Sequence, residues 1–256
     1  MAKICVITGG ASGIGRCLVE KFAESGMTVI FVDKDKEAVG KTQKAMREKV
    51  LPVEGFCGDI AEEAVLKAFS DHVISEYGKV DVLINNACLS RRGILSGCSY
   101  EDFNYVLKVG VTAPYMLASL FLNAFSEGAS IINITSTRAF MSQQDTESYT
   151  AAKGGITALT HALAVSLAGK VRVNSIAPGW IDTWEYHDDV EKTEYSRGDQ
   201  EQHLSKRVGT PEDIANAALF LCDERNSFID GQNITVDGGM TKQMIYHDDL
   251  GWSYGE

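Results

Sequence analysis

Short apolar runs alternate with longer amphipathic stretches along almost the whole chain, and this alternation limits the fold more than any other feature. Residues 3–8 (K-I-C-V-I-T) are a continuous β-rich run, as in a strand buried on both faces. Residues 13–25 follow with Ile14, Leu18 and Phe22 at helical spacing. A second apolar run spans 28–32, a charge-laced helical stretch 35–49 and a third run 51–56. Val65, Phe69 and Val73 recur at four-residue intervals in a helix over 61–77. Runs at 80–84, 130–134, 171–176 and 233–236 predict four more strands, interleaved with helices over 100–125, 148–167 and 211–221. The last helix opens with Thr210 as N-cap and Pro211 at its first position. Such strict alternation predicts an α/β fold, a doubly wound parallel sheet with helices on both faces. Ligands of such sheets bind beyond the carboxyl ends of the strands.

Composition narrows the function classes. The 256 residues are 45% hydrophobic and 23% charged, which excludes disorder. Four prolines and no Pro/Gly/Ser-rich linker predict one domain over residues 1–240, followed by a tail, 241–256. The net charge of -11 repels phosphate backbones, so no nucleic-acid partner is expected, although a dinucleotide held by local dipoles is compatible. None of the six cysteines is spaced C-x-x-C, none pairs with His at zinc spacing, and no metal is expected. They are expected to be reduced thiols, most of them buried, in a cytoplasmic protein. No apolar run approaches the roughly 20 residues of a membrane span, and glycines arrive too early for a secretory signal.

After the first strand, T-G-G-A-S-G-I-G (residues 8–15) opens a helix. Gly9, Ser12, Gly13, Ile14 and Gly15 form a turn whose glycines let the backbone approach a pyrophosphate, with the free N–H groups of the helix start as donors. Asp33 ends the next strand, 18 residues beyond Gly15, where a carboxylate accepts hydrogen bonds from ribose hydroxyls and repels a 2′-phosphate. The turn itself adds no cation, though Lys34 is beside Asp33. This selects NAD over NADP, on a Rossmann-type fold.

Tyr149 and Lys153, in Y-T-A-A-K, share one helix face. An ammonium beside a phenol favours the phenolate, so such a Tyr exchanges protons with an alcohol or carbonyl. Ser136, in I-I-N-I-T-S at the end of the fifth strand, precedes Tyr149 by 13 residues and offers a donor to a substrate oxygen.

Together these motifs resemble the classical short-chain dehydrogenase/reductase family from residue 3 to about residue 240. The resemblance rests on the glycine turn, N-N-A at Asn85 to Ala87, the Ser136, Tyr149 and Lys153 set, P-G-W-I-D-T at Pro178 to Thr183, and the late R-V-G-T-P-E-D-I-A and I-T-V-D-G-G segments. It implies an NAD-dependent oxidoreductase interconverting a secondary alcohol and a ketone, with Tyr149 as general acid/base. Lys153 would support Tyr149 and bind the nicotinamide ribose, and Ser136 would polarise the substrate oxygen. Asp59 and Ile60 would contact the adenine, and Asn86 and Ala87 would lie along the adenosine ribose. Pro178, Ile181 and Thr183 would flank the nicotinamide, with Ile181 and Thr183 holding its carboxamide. Family members usually pair through the helices near 100–125 and 148–167, implying a homodimer or homotetramer. Two other readings share the fold: a catalytically silent NAD-responsive binding protein, and an NADP-using 3-oxoacyl-thioester reductase, which Asp33 disfavours.

The chain departs from the family pattern twice. Cys88 follows Ala87 where Gly is usual, and Gly110 stands where an Asn carbonyl usually holds a relay water. Pro114, four residues on, has no N–H to bond the Gly110 carbonyl, which predicts that this carbonyl is released for the same use. Substrate choice is expected in a lid over 182–206. Its 182–202 part has eight acids against Lys192 and Arg197, while Trp180, Trp184, Tyr186 and His187 form an aromatic base expected against the substrate. Arg91, Arg92 and Arg138 are candidate contacts for an anionic substrate, and the aromatic tail is expected to dock.

Overall fold

Ile4–Thr8 (β1) is buried at every residue, so it can only be a central strand. The computed structural model describes residues 2–187, 192, 194–244 and 246. Seven parallel strands follow: β1, β2 (Thr28–Asp33), β3 (Val53–Cys57), β4 (Val80–Asn85), β5 (Phe125–Ile134), β6 (Val171–Pro178) and β7 (Asn233–Val236). Their order is β3-β2-β1-β4-β5-β6-β7. The order reverses between β1 and β4, which opens a crevice at their carboxyl ends.

Among the described residues there are eight α-helices, most of them packed on the two faces: α1 (Gly13–Glu24), α2 (Lys36–Glu48), α3 (Glu63–Tyr77), α4 (Tyr100–Leu107), α5 (Ala113–Leu120), α6 (Glu147–Ser166), α7 (Arg197–Glu201) and α8 (Pro211–Cys222). One core lies under α3, α5 and α6, with Phe69, Leu117 and Phe121 fully buried. The other lies under α1, α2 and α8, with Phe22, Phe31 and Ile214. Each fully buried Phe or Leu of this kind contributes about 1.5–3 kcal/mol.

The expected single helix over 100–125 is not continuous. α4 passes into a π-helical turn, Lys108–Thr112, then α5, which ends at Leu120, and β5 already begins at Phe125. Phe121 and Phe125 are four apart and both buried, the spacing of a helix face. Here a turn and a strand satisfy that spacing instead, with ring centroids 6.3 Å apart. In the π turn the Ala113 N–H donates to the Lys108 carbonyl, one residue further than in an α-helix. Pro114 then supplies no donor to the carbonyl of Gly110.

The cysteines divide evenly rather than being mostly buried: Cys5, Cys17 and Cys222 are buried, Cys57 is exposed, and Cys88 and Cys98 lie between. Burial pushes the thiols of Cys17 and Cys222 up to about 12, which makes them inert packing groups.

Candidate active site

The glycine turn is held shut by the strand beside it. The Asn86 side chain donates to the carbonyls of Thr8 and Gly9 at 3.1 and 3.0 Å. Thr8 Oγ1 accepts from the amides of Asn86 and Ala87, both at 3.1 Å. Gly9 has φ +66°, and a Cβ on Gly15 would stand 1.8 Å from the Gly9 carbonyl oxygen, so no side chain fits. The N-N-A segment therefore works as the clasp of the glycine turn as well as a wall of the crevice.

The residues present fit a dinucleotide. α2 and α4 close their N-termini with their own side chains, Asp35 and Ser99. α1 does not: Ser12 makes no capping bond and the first turn holds no acid, leaving the helix-start N–H groups toward a cleft of about 340 Å³. Gly9, Ser12, Ile14, Gly15 and Ala87 line it, as do Asp33, Asp59, Ile60, Asn86 and Thr183, which brings these candidate residues together in one cleft. Gly13 is not among its lining residues, and a Cβ there would meet His187 Nε2 at 3.3 Å.

Asp33 stands at the cleft's far end, its carboxylate accepting from the amides of Ala11 and Asp35, both at 3.1 Å. Beside it lies a group that sequence reasoning missed. Tyr105 on α4 donates to Asp59 Oδ2 at 2.7 Å, and Lys34 donates to the Tyr105 hydroxyl at 3.2 Å. Lys34 also stands 5.3 Å from that ring. Burial, then the Asp59 carboxylate, push the Tyr105 hydroxyl above its ordinary range. Tyr105 and Val109 both line the cleft. Their four-residue spacing was the available signal.

A cavity of about 210 Å³ joins this cleft to a larger one of about 690 Å³. It shares Ile14, Asn86 and Cys88 with the cleft, and Ser136, Tyr149, Gly179 and Ile181 with the larger cavity. Lys153 and Pro178 also line it, with Ile134 and Thr135. The three site side chains are thus gathered where the cavities meet. Lys153 is buried, stands 5.4 Å from the Tyr149 ring, and donates to the Ile134 carbonyl at 2.7 Å. That bond ties α6 to the end of β5. A buried chain does the same further along: Asn85 donates to Asn133 at 2.8 Å, and Asn133 to Thr160 at 3.0 Å. Ser136 Oγ accepts the amide of Arg138 at 3.2 Å, which leaves its own proton free to be donated.

Gly110 lines none of these three cavities. It lies under α6: a Cβ at Gly110 would come within 2.9 Å of Ala152 Cβ and 3.3 Å of Cys88 Sγ. The two departures from the family pattern are therefore neighbours. Cys88 fills space beside a residue that has no side chain.

The aromatic base of the lid divides. Trp180 alone of the four lines the large cavity. Tyr186 turns inward between α1 and α8, donating to Glu212 at 2.5 Å, because an apolar seam there buries its ring. Burial first, then Cys17 and Glu212, push its hydroxyl strongly upward. Trp184 carries Lys192 over its ring at 5.5 Å. Residues 188–191 and 193 of the acidic lid, and 245 and 247–256 of the tail, lie outside the described residues. Of the three candidate arginines, Arg91 pairs with Asp102 and stacks on Tyr105, Arg92 is exposed, and Arg138 alone lines the large cavity. Met141, Gln143, Gln202 and Met240, which also line it, come from segments scattered over a hundred residues and carry no motif.

Among the described residues no helix is long and apolar enough to cross a membrane, and no cluster of His, Cys, Asp or Glu suits a metal ion.

A protein-family model described as enoyl-(acyl carrier protein) reductase matches residues 9–241. The chain is 42% identical over 252 residues to an uncharacterized oxidoreductase of Thermotoga maritima, covering 96% of this chain and 98% of that protein. It is 32% identical over 245 residues to a 3-oxoacyl-(acyl-carrier-protein) reductase of the same organism, covering 93% of this chain and 97% of that one. A solved structure of an apo SCOR enzyme from Clostridium thermocellum matches with a TM-score of 0.88 at 43% identity, covering 100% and 99% of the two chains. On this similarity, and on a glycine turn, a seven-stranded parallel sheet and a Ser-Tyr-Lys set arranged as above, the chain belongs to the short-chain dehydrogenase/reductase family of oxidoreductases.

Proposed function

We propose that the protein is an NAD-dependent oxidoreductase that interconverts a secondary alcohol and a ketone. The observation that carries this reading is the position of Tyr149. It lies in the wall shared by the joining cavity and the large one, beside Ser136 and over Lys153.

Gly9 to Gly15 would receive the pyrophosphate, Asp33 the adenosine ribose, and Lys153 the nicotinamide ribose. When bound, the nicotinamide supplies the hydride acceptor or donor. In the oxidative direction Tyr149 acts as the phenolate and takes the proton of the substrate alcohol, becoming a neutral phenol. Ser136 donates to the same substrate oxygen and orients it. The Lys153 ammonium, anchored on the Ile134 carbonyl, stabilises the phenolate before that transfer. The Gly110 carbonyl, unmatched at Pro114, accepts the relay that returns the proton toward solvent. Pro114→Ala restores a competing amide donor and is expected to lower turnover; unchanged rates there would remove the relay from the scheme.

Asp33 carries the choice of NAD, since it meets a 2′-phosphate with like charge while Lys34 is engaged by Tyr105. The exposed Tyr115 on α5 and Val165 on α6 support pairing of two copies through these helices. Similarity to a 3-oxoacyl-thioester reductase favours that activity as the second reading. A panel of secondary alcohols, ketones and 3-oxoacyl thioesters with each cofactor, followed at the reduced-nicotinamide absorbance, separates the two. Turnover of alcohols with NAD supports the first reading; turnover confined to thioesters with NADP overturns it.

A further inference from the structure

Among the described residues, the large cavity is lined by a single ionic side chain. Arg138 faces it among neutral neighbours such as Thr137, Ser142, Gln143 and Gln202. Its guanidinium donates to Gln143 and stands 5.7 Å from the Tyr149 ring. Among the described residues it meets no carboxylate, although the chain has 35 acids against 24 Lys and Arg. Other arginines are engaged elsewhere. Arg207 pairs with Asp213, Arg225 with Asp223, Arg91 with Asp102 and Arg197 with Glu201. Arg172, also half-buried and without a carboxylate among the described residues, is taken up by the Ile229 and Leu221 carbonyls and Ser130 Oγ rather than facing a cavity.

We propose that the substrate carries a carboxylate, that Arg138 binds it, and that it lies a few bonds from the carbon that is oxidised or reduced. The proposal rests on the alcohol–ketone reading and names its substrate class: hydroxy acids and the corresponding oxo acids.

The turn that holds Arg138 fixes this geometry. Thr137–Ala139 is a single 3-10 turn directly after Ser136, and the Arg138 amide is bonded to Ser136 Oγ. The guanidinium and the substrate-polarising hydroxyl thus hang from one short rigid segment. The same guanidinium stands over the ring whose hydroxyl moves the proton. A carboxylate on Arg138 therefore lies close to an oxygen held between Ser136 and Tyr149. The planar fork of an arginine offers two parallel N–H groups to a carboxylate, which fixes orientation as well as affinity. One positive charge matches a monoanion. A phosphate monoester, carrying nearly two charges, leaves one uncompensated against the chain's negative field.

The test compares racemic straight-chain 2- and 3-hydroxy acids with their N-methyl amides and with phosphorylated hydroxy compounds, using wild type, Arg138→Gln and Arg138→Lys. Wild type is expected to prefer the acid by roughly 10- to 100-fold in kcat/KM, the range of a charged hydrogen-bonded pair. Arg138→Gln should collapse that ratio toward one, mainly through KM of the acid, and Arg138→Lys should restore part of it. Equal use of acid and amide by wild type, an unchanged ratio in Arg138→Gln, or preference for the phosphorylated compounds overturns the proposal. Calorimetric binding of the same acid and amide pairs decides the role of Arg138 even if none turns over. A wild type that oxidises neutral alcohols without preferring acids leaves the alcohol–ketone reading intact and removes only this inference.

Discussion

The two halves of the crevice are built from different material. The proposed cofactor cleft is made by the ends of β1, β2 and β4 and the start of α1, where the uncapped helix start offers backbone N–H groups. Its acids are tied down, Asp33 by two amides and Asp59 by the Ala61 amide and Tyr105. The proposed substrate cavity draws on loops after β5 and β6, on Tyr149 and on Gln202 and Met240. Among the described residues no carboxylate lines it, and one arginine does. On the proposed reading, a nucleotide would be recognised by a shape that the sheet imposes, and a substrate by residues that can be exchanged without moving the sheet.

The largest expected break in this arrangement is at the wall the two halves share. Tyr149→Phe keeps the ring, with Lys153 5.4 Å and Arg138 5.7 Å from it, and removes the oxygen proposed to move the proton. We expect kcat to fall by roughly 10²- to 10⁴-fold while NAD affinity, read by tryptophan fluorescence, stays within about a factor of three. Wild-type turnover in this variant contradicts the assigned role. Asp33→Ser comes next and acts on the cofactor half alone. The ratio of kcat/KM for NAD over NADP should fall by roughly 100-fold, because a like charge opposite the 2′-phosphate is removed. An unchanged ratio moves cofactor choice elsewhere.

The same contrast explains what the sequence reveals and what it hides. The central strands were visible as apolar runs, since burial on both faces leaves few polar positions, whereas the edge strands β3 and β7 are only half-buried and the first half of β5 is not apolar. Asp33, Asp59 and Asn86 were visible because a strand end followed by a turn places them whatever the rest of the chain does. Tyr105 was hidden: its role depends on Asp59 and Lys34, 46 and 71 positions away, meeting over one ring. The inward turn of Tyr186 was hidden for a like reason, its seam being made by two helices far apart in the chain. The π turn was hidden: Pro114 raised the expectation of a freed Gly110 carbonyl, and nothing in the run marked the extra residue in the helical ladder.

Gly110 and Cys88 tie the halves together mechanically, and a smaller effect is expected there. Gly110→Ala pushes on Ala152, in the helix that carries Tyr149 and Lys153. Overpacking of this kind costs about 1–3 kcal/mol, part of it offset by the better helix propensity of Ala. For a chain of this size that corresponds to a loss of a few degrees in Tm. Cys88→Gly in the same chain removes the second obstruction, at 3.3 Å, and should return part of the loss. A coupling near zero in the double-mutant cycle shows that the two sites do not share the strain.

The smallest effect concerns the base of the substrate half. Trp180 and Asp182 are stapled to Gly209 by the bonds Gly209 N–H to the Trp180 carbonyl, 3.1 Å, and Asp182 N–H to the Gly209 carbonyl, 2.9 Å. Arg207 in turn grips Asp213 at the start of α8 with two bonds of 2.6 and 2.7 Å. The Arg207 guanidinium holds the Asp213 carboxyl below the usual carboxylate range. A carboxyl with a depressed value in the folded state stabilises above its unfolded pKa of about 3.9 and loses that contribution as pH falls through the folded value. Arg207→Gln should therefore lower Tm at neutral pH by a degree or two, since the pair is partly exposed, and the difference from wild type should vanish as the pH falls below 4. Because the cofactor half has no part in this clamp, NAD affinity should be unaffected while KM for substrate rises. A variant that weakens both equally shows that the two halves share one anchor rather than having separate ones.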